Sequence, residues 1–372
     1  MSKGMGRSGL SRALLAGTAL VGVAAFATGA SAAEKIRLGL GGYFNAYFAY
    51  GAQSDGSGEP GANVREHGIG REGEVYFTGE TTLDNGLTAS VVIQLEAETS
   101  TDQIDESYIA FKGGFGHLHI GSDDPATDSF LISAPGAVSG FGVNDPTFTN
   151  ISTGGNSIDA NVTTVGISGD NDKVIYLSPS ISGLSVGVSY APDATEESAD
   201  GLRSDNDAGD QSREIALAAG YSRTVGALSF ALYAGYAKAN LEAAGGGFND
   251  DQRQWGVGGE IGMAGVKVGA SFREDNQGTS GAHTDRRDWN VGVGYETGPW
   301  AFSLGYGRTE IEEGAGAGED TLDVTELAAN YVVAPGLAVG STVSYWDYQD
   351  NAGTKANENQ ATLLTFGVRV DF

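Results

Sequence analysis

The sequence of 372 residues has no cysteine. That absence removes disulfide frameworks, thiolate nucleophiles and Cys-ligated metals together. Stability must then come from backbone pairing and packing. Basic residues are also scarce: 21 Lys and Arg stand against 48 Asp and Glu, for a formal charge of −27. Phosphates attract Lys and Arg, so this balance argues against nucleic acid as a partner. Only four His are present, which leaves little material for His-based catalysis or metal clusters. Beyond the first thirty-odd residues, no apolar run approaches the length of a membrane-spanning helix.

Those first residues form a unit of their own. Lys3, Arg7 and Arg12 precede "ALLAGTALVGVAAFATGA", and Ala30-Ser31-Ala32 follows. A basic head, an apolar middle and a small-residue cleavage site predict a secretory signal peptide over 1–32. Its removal leaves 33–372 as the exported domain and takes the formal charge from −27 to −30.

What the chain does have is glycine, 59 residues of it, placed inside alternating runs such as "GLSVGVSY", "WNVGVGY" and "AFSLGYGR". Interior Gly costs a helix about 1 kcal/mol relative to Ala, whereas strands at a curved or crowded wall tolerate it better. The chain is therefore read as all-β. Its last stretch, "NQATLLTFGVRVDF", sets Leu364, Phe366, Val368, Val370 and Phe372 against Leu363, Thr365, Gly367, Arg369 and Asp371. Successive side chains of a strand point to opposite faces, so this segment has one greasy face and one mostly polar or small face. Sixteen such segments follow one another, joined alternately by short turns and long loops. Asn85-Gly86 marks one tight hairpin. The acids concentrate in the long connections, as in "DATEESADGLRSDNDAGD" and "EIEEGAGAGEDTLD".

Long loops at one end and short turns at the other are the pattern of an outer-membrane barrel. In hydrocarbon each orphan backbone group costs several kcal/mol, so the strands must close into a ring without edges. Ile36, Leu38, Leu40, Phe44 and Phe48 then face lipid, while Arg37, Tyr43, Asn45 and Tyr47 face inward. Trp300, Tyr306, Tyr345, Tyr348 and Phe372, near strand ends, are expected in the interfacial aromatic girdles. A ring of sixteen strands is too wide for side chains to fill and leaves an aqueous channel.

Three stretches carry a family resemblance: "GEVYFTGETTLDNGLTASVVIQLE", "ESYIAFKGGFGHLHIGSDD" and "KVIYLSPSISGLSVGVSYAP". In this order the chain resembles the general diffusion porins of Gram-negative outer membranes, of the alphaproteobacterial type. The resemblance covers 34–372. It implies a 16-stranded antiparallel transmembrane β-barrel that forms a homotrimer and passes small hydrophilic solutes passively, with no catalytic residues. It further implies that the third loop, 123–171, folds inward as a constriction. Asp123, Asp124, Asp128, Asp145 and Asp159 are then the constriction acids, and terminal Phe372 is the signal read by the barrel-assembly machinery. Where the family tends to carry wall arginines, this chain has Glu74, Asp105 and Ser122, and Gly140 stands where Glu is often found. Arg37, Lys112, Arg273 and Arg369 remain as basic wall candidates. Acids on both loop and wall predict cation preference.

Several other readings compete. His117 and His119, at i and i+2, suit a metal pair but lack a third ligand. "GVGGEIG" at 256–262 has the wrong spacing for a dinucleotide loop. The acidic outer loops fit either plain solvation or a divalent cation such as calcium, bridging lipopolysaccharide or subunits. A substrate-specific channel, an outer-membrane barrel enzyme and an adhesive barrel are the alternatives of function.

Overall fold

The computed structural model describes residues 35–97, 103–149, 151–153, 155, 158, 160–194, 205–280, 285–312 and 318–372. The signal-peptide expectation over 1–32 and the constriction acid Asp159 lie outside the described residues. The strands are β1 (Arg37–Gln53), β2 (His67–Thr82), β3 (Thr88–Glu96), β4 (Ile104–Gly113), β5 (Gly116–Ser122), β6 (Asp172–Leu177), β7 (Leu184–Asp193) and β8 (Gln211–Val225). They continue as β9 (Leu228–Leu241), β10 (Arg253–Met263), β11 (Val266–Asp275), β12 (Arg286–Thr297), β13 (Trp300–Glu312), β14 (Glu319–Ala334), β15 (Leu337–Gln349) and β16 (Asn359–Asp371). Each pairs antiparallel with its neighbours in sequence, and β1 pairs with β16, so the sheet is a closed barrel. No described helix is long and apolar enough to cross a membrane.

Local chemistry sets the connections. Connections after even-numbered strands are short and those after odd-numbered strands long, as the turn signals imply. Ala264 and Gly265, between β10 and β11, have φ of 51° and 85°, which a two-residue type I′ hairpin requires. Asn85-Gly86 is not such a turn. It sits in a loop over Leu83–Leu87, where Gly86 has φ 81°. The Asn85 side chain instead accepts the Leu87 N–H at 3.1 Å, an Asx-type closure.

The seam explains the alternation at the C-terminus. Tyr43 stands opposite Asp371, and the register runs unbroken to Gln53 opposite Ala361. Phe372 extends it: its N–H donates to the Gly42 carbonyl at 3.0 Å, and Gly42 N–H donates back at 2.9 Å. No edge is left there for another chain to pair with. Phe44, Phe48, Leu364, Phe366, Val368 and Val370 point outward and are exposed. Dozens of large apolar side chains do the same around the ring, a surface that suits lipid and not water.

The inner face is polar or small for most of its extent, with Asn45, Ser189, Ser271, Asn290, Thr342 and Thr365 buried there. One sector differs. Leu322, Val324, Trp346, Tyr348 and Leu363, inward on β14–β16, pack with Val143 and Ile158 into an apolar cluster. Tyr348 therefore does not belong to an interfacial girdle. It lies three residues beyond outward Tyr345, on the opposite face of the pleat, and is only 1% exposed. Trp300, Tyr345 and Phe372 do face outward.

Candidate channel lumen and its infolded loop

Much of the long segment between β5 and β6 lies inside the barrel, against its wall. Both of its roots meet at one ammonium group. Lys173 Nζ, on β6, donates to the Gly169 carbonyl at 2.9 Å and also to those of Asp123 and Asn171. Ser122 Oγ donates to the Asp170 carbonyl at 2.6 Å. The Asp123 carboxylate lies 2.7 Å from Nδ1 of His119, whose ring stacks on Tyr108 at 4.9 Å. Asp124, half-buried, sits beside them. Burial, then the charges of Asp128 and Asp123, hold its carboxyl well above the usual carboxylate range.

From this root the chain runs along the wall. Ala126 N–H donates to Ser189 Oγ on β7 at 3.1 Å, and Leu131 packs on Ala218 and Tyr233 of β8 and β9. Ala134 N–H donates to Asn290 Oδ1 on β12 at 2.8 Å, and Ala137 N–H to Ser303 Oγ on β13 at 2.9 Å. Ser139 Oγ accepts from Arg369 on β16 at 2.9 Å. Phe141 and Phe148 close on the Tyr47 ring of β1, at 5.4 Å and 4.1 Å.

The chain then returns nearer the long-loop end. Asn161 Nδ2 donates to the Arg308 carbonyl at 2.8 Å, and Thr163 Oγ1 lies 2.7 Å from Ser271 Oγ. Gly166 N–H donates to Gln254 Oε1 at 2.8 Å. Ile167 and Ser168 N–H groups donate to the Glu214 carboxylate at 2.8 Å and 3.0 Å. Apart from a single 3-10 turn at Asp128–Phe130, the described residues of this segment have no regular structure to satisfy their backbone. Inward Ser, Asn, Gln and Glu side chains of successive strands take that role.

The charged groups named from sequence separate into three sets. Glu74 and Asp105 come together, joined by Glu96; one carboxylate oxygen from each lies within 4.8 Å of the others. A register shift in the β3–β4 pairing, between Ile93 and Leu95, accompanies Asp105's arrival there out of step with inward Tyr108. Among the described residues these three are the group with metal-ligand proximity, and the His pair takes no part in it. Asp123, Asp124 and Asp128 gather at the loop root, whereas Asp145 is carried to the β12 wall and within electrostatic reach of Arg286. Asp145 holds φ 46°, and its N–H donates to the Asn161 carbonyl at 2.7 Å.

Among the basic wall candidates, Arg37 and Lys112 are exposed near the short-turn end. Arg273 is only 8% exposed; it bonds Asp275 at 2.8 Å and the Val162 carbonyl at 3.2 Å, so it braces the loop's return course. Arg369 bonds Asp371 at 2.8 Å and lies 4.1 Å above the Tyr43 ring. The Tyr43 hydroxyl in turn lies 2.8 Å and 2.9 Å from carboxylate oxygens of Glu72 and Glu74, between which its one proton is shared.

Glu72, Glu96, Glu106, Lys173 and Glu214 are the functional candidates that the sequence reading passed over. Glu72 was within reach of it, since it lies two residues before Glu74 on the same face. The 256–262 glycines lie within β10, as strand residues.

The comparisons agree with this architecture. A family model described as Gram-negative porin matches residues 16–354. No curated protein sequence matches the chain. Among solved structures, the anion-selective porin from Comamonas acidovorans aligns with TM-score 0.64 and 17% identity, covering 91% of this chain and 100% of that one. OmpT of Vibrio cholerae, in a form lacking loop L8, gives 0.60 and 15%, covering 91% and 100%. A variant of the Rh. blastica porin gives 0.56 and 20%, covering 90% and 100%. At these identities the structures speak for the fold alone. With a closed sixteen-strand ring, an apolar outer belt and a family match over most of its length, the chain belongs to the Gram-negative porin family and is an outer-membrane channel protein.

Proposed function

We propose that this porin is a water-filled channel for passive diffusion of small hydrophilic solutes and ions, that it prefers cations, and that it works as a homotrimer. The preference rests on one asymmetry. The wall of β2–β4 and the loop root carry Glu72, Glu74, Glu96, Asp105, Glu106 and Asp123. On the far side the inward arginines are engaged with carboxylates: Arg273 with Asp275 and Arg286 with Asp288. Paired charges largely cancel at a distance. The screening length is about 8 Å at physiological salt, so the acids beside the aperture dominate what an entering ion meets.

The Comamonas acidovorans porin is anion-selective; at 17% identity its preference does not transfer, and the sign is argued from the residues above. Reversal potential across a planar bilayer in a tenfold KCl gradient tests it. Cation preference gives a potential of the sign set by K⁺, and the opposite sign refutes the reading.

Export with loss of residues 1–32, recognition of Phe372 by the barrel-assembly machinery, and contact with lipopolysaccharide complete the proposal. The acidic outer loops would bridge to lipopolysaccharide through a divalent cation such as calcium. No catalytic role is assigned.

A further inference from the structure

The geometry points to inward glycines of β10–β13 as the residues that set the position and width of the aperture, by forming the seat on which residues 132–143 lie. The inference rests on the channel reading and adds the residues that shape the path. Its first support is the course of the chain. Ala126 bonds Ser189 of β7, Ala134 bonds Asn290 of β12, Ala137 bonds Ser303 of β13 and Ser139 bonds Arg369 of β16, so the segment follows the wall and not a chord across the lumen.

The second support is steric. A Cβ at Gly258 would overlap the Ile132 carbonyl oxygen; at Gly269 it would stand 2.6 Å from the Ser133 carbonyl oxygen, and at Gly307 2.7 Å from that of Val143. At Gly292 and Gly294 it would come within 3.1 Å of Ala134 Cβ and 3.0 Å of Pro135 Cβ. Backbone atoms cannot swing aside as a side-chain tip can. Any larger residue at these sites pushes the loop off the wall toward the open side. That side is the wall of β2–β4, where inward Tyr76, Ser90, Gln94, Tyr108 and Ala110 keep part of their surface accessible. Solutes then pass along it, off the barrel axis.

Two measurements test this on the full-length protein. In the first, Gly258→Val is compared with Gly259→Val, which adds the same side chain on the lipid face of the same strand. Single-channel conductance should fall about twofold or more for Gly258→Val and stay near wild type for Gly259→Val; equal conductances would overturn the seat. In the second, Ser90→Cys and Ser303→Cys, both inward and close to short turns, are labelled in separate proteins with a bilayer-impermeant thiol reagent. The natural chain has no cysteine to interfere. Because thiol reactivity follows access, Ser90→Cys should react about tenfold faster, and equal rates would refute a loop-covered wall even if Gly258→Val does not fold. Unequal labelling in a barrel that passes no current would uphold the seat and sink the channel reading.

Discussion

At the scale of single residues, Lys173 carries an unusual share of the arrangement. The residue is 3% exposed, and its ammonium holds carbonyls from both roots of the loop. Replacement by Met leaves those carbonyls and the neighbouring acids without a cation. Removing one partner of a buried charged group costs about 3–5 kcal/mol. Lys173→Met should accordingly lower the heat-unfolding midpoint of the detergent-solubilised barrel, and an unchanged midpoint would show that the roots are held otherwise.

Asp124 gives a second residue-scale prediction, with a definite sign. Its folded carboxyl binds a proton more tightly than the unfolded one does, so its contribution favours the folded state most in acid. That contribution is lost as pH rises from the ordinary Asp value of about 3.9 toward the elevated folded value. Asp124→Asn should therefore raise the unfolding midpoint at pH 8 and change it little at pH 4. The reverse pattern would contradict the placement of Asp124 beside the like charges of Asp128 and Asp123.

These residues also show how far sequence reaches at this scale. The lipid face of β16 was legible because alternation fixes it residue by residue. Tyr348 was misread since an aromatic near a strand end fits a girdle, although its offset from Tyr345 already put it inside. Asp105 depended on a register shift between Ile93 and Leu95, which leaves no mark in composition.

Among the elements, the infolded loop is the one that local rules describe least. It lacks periodicity, so nothing in 123–171 announces its course around the wall. Its hydrogen bonds go to Ser189, Glu214, Gln254, Asn290 and Ser303, spread over five strands. Those side chains were visible in the sequence only as the polar face of each strand, and their shared task emerges once the ring is closed. The inward glycines were legible as crowded positions, but the atoms crowding them were not.

Glu214 is the most telling anchor, because its carboxylate accepts two consecutive loop amides. Glu214→Ala leaves both without that acceptor, each at about 1–3 kcal/mol. The return course near Ile167 should then become cleavable by added protease while the strands stay intact. Resistance equal to wild type would mean that other groups hold this segment.

For the whole molecule, closure and the two faces follow from one physical demand: in hydrocarbon every backbone polar group needs a partner within the protein. The even strand number, the alternation of short and long connections and the Gly42–Phe372 seam all answer it. They could be anticipated because they use the entire chain. The inside is less regular, since no single solvent dictates it. One sector, around Trp346 and Leu363, is apolar and packed against the loop, while the β2–β4 sector is acidic and partly accessible. The proposed cation preference belongs to this scale, being the sum of many charges. It should weaken as pH falls and carboxylates take up protons, a change that reversal potentials at pH 7 and pH 4 would register.

Single-channel current in a planar bilayer, recorded at successively higher KCl concentrations, tests most directly whether the space left beside the loop is a continuous column of water. Discrete steps whose conductance rises in proportion to salt are expected. Absence of steps, or a conductance that saturates at low salt, would contradict an open, water-filled passage.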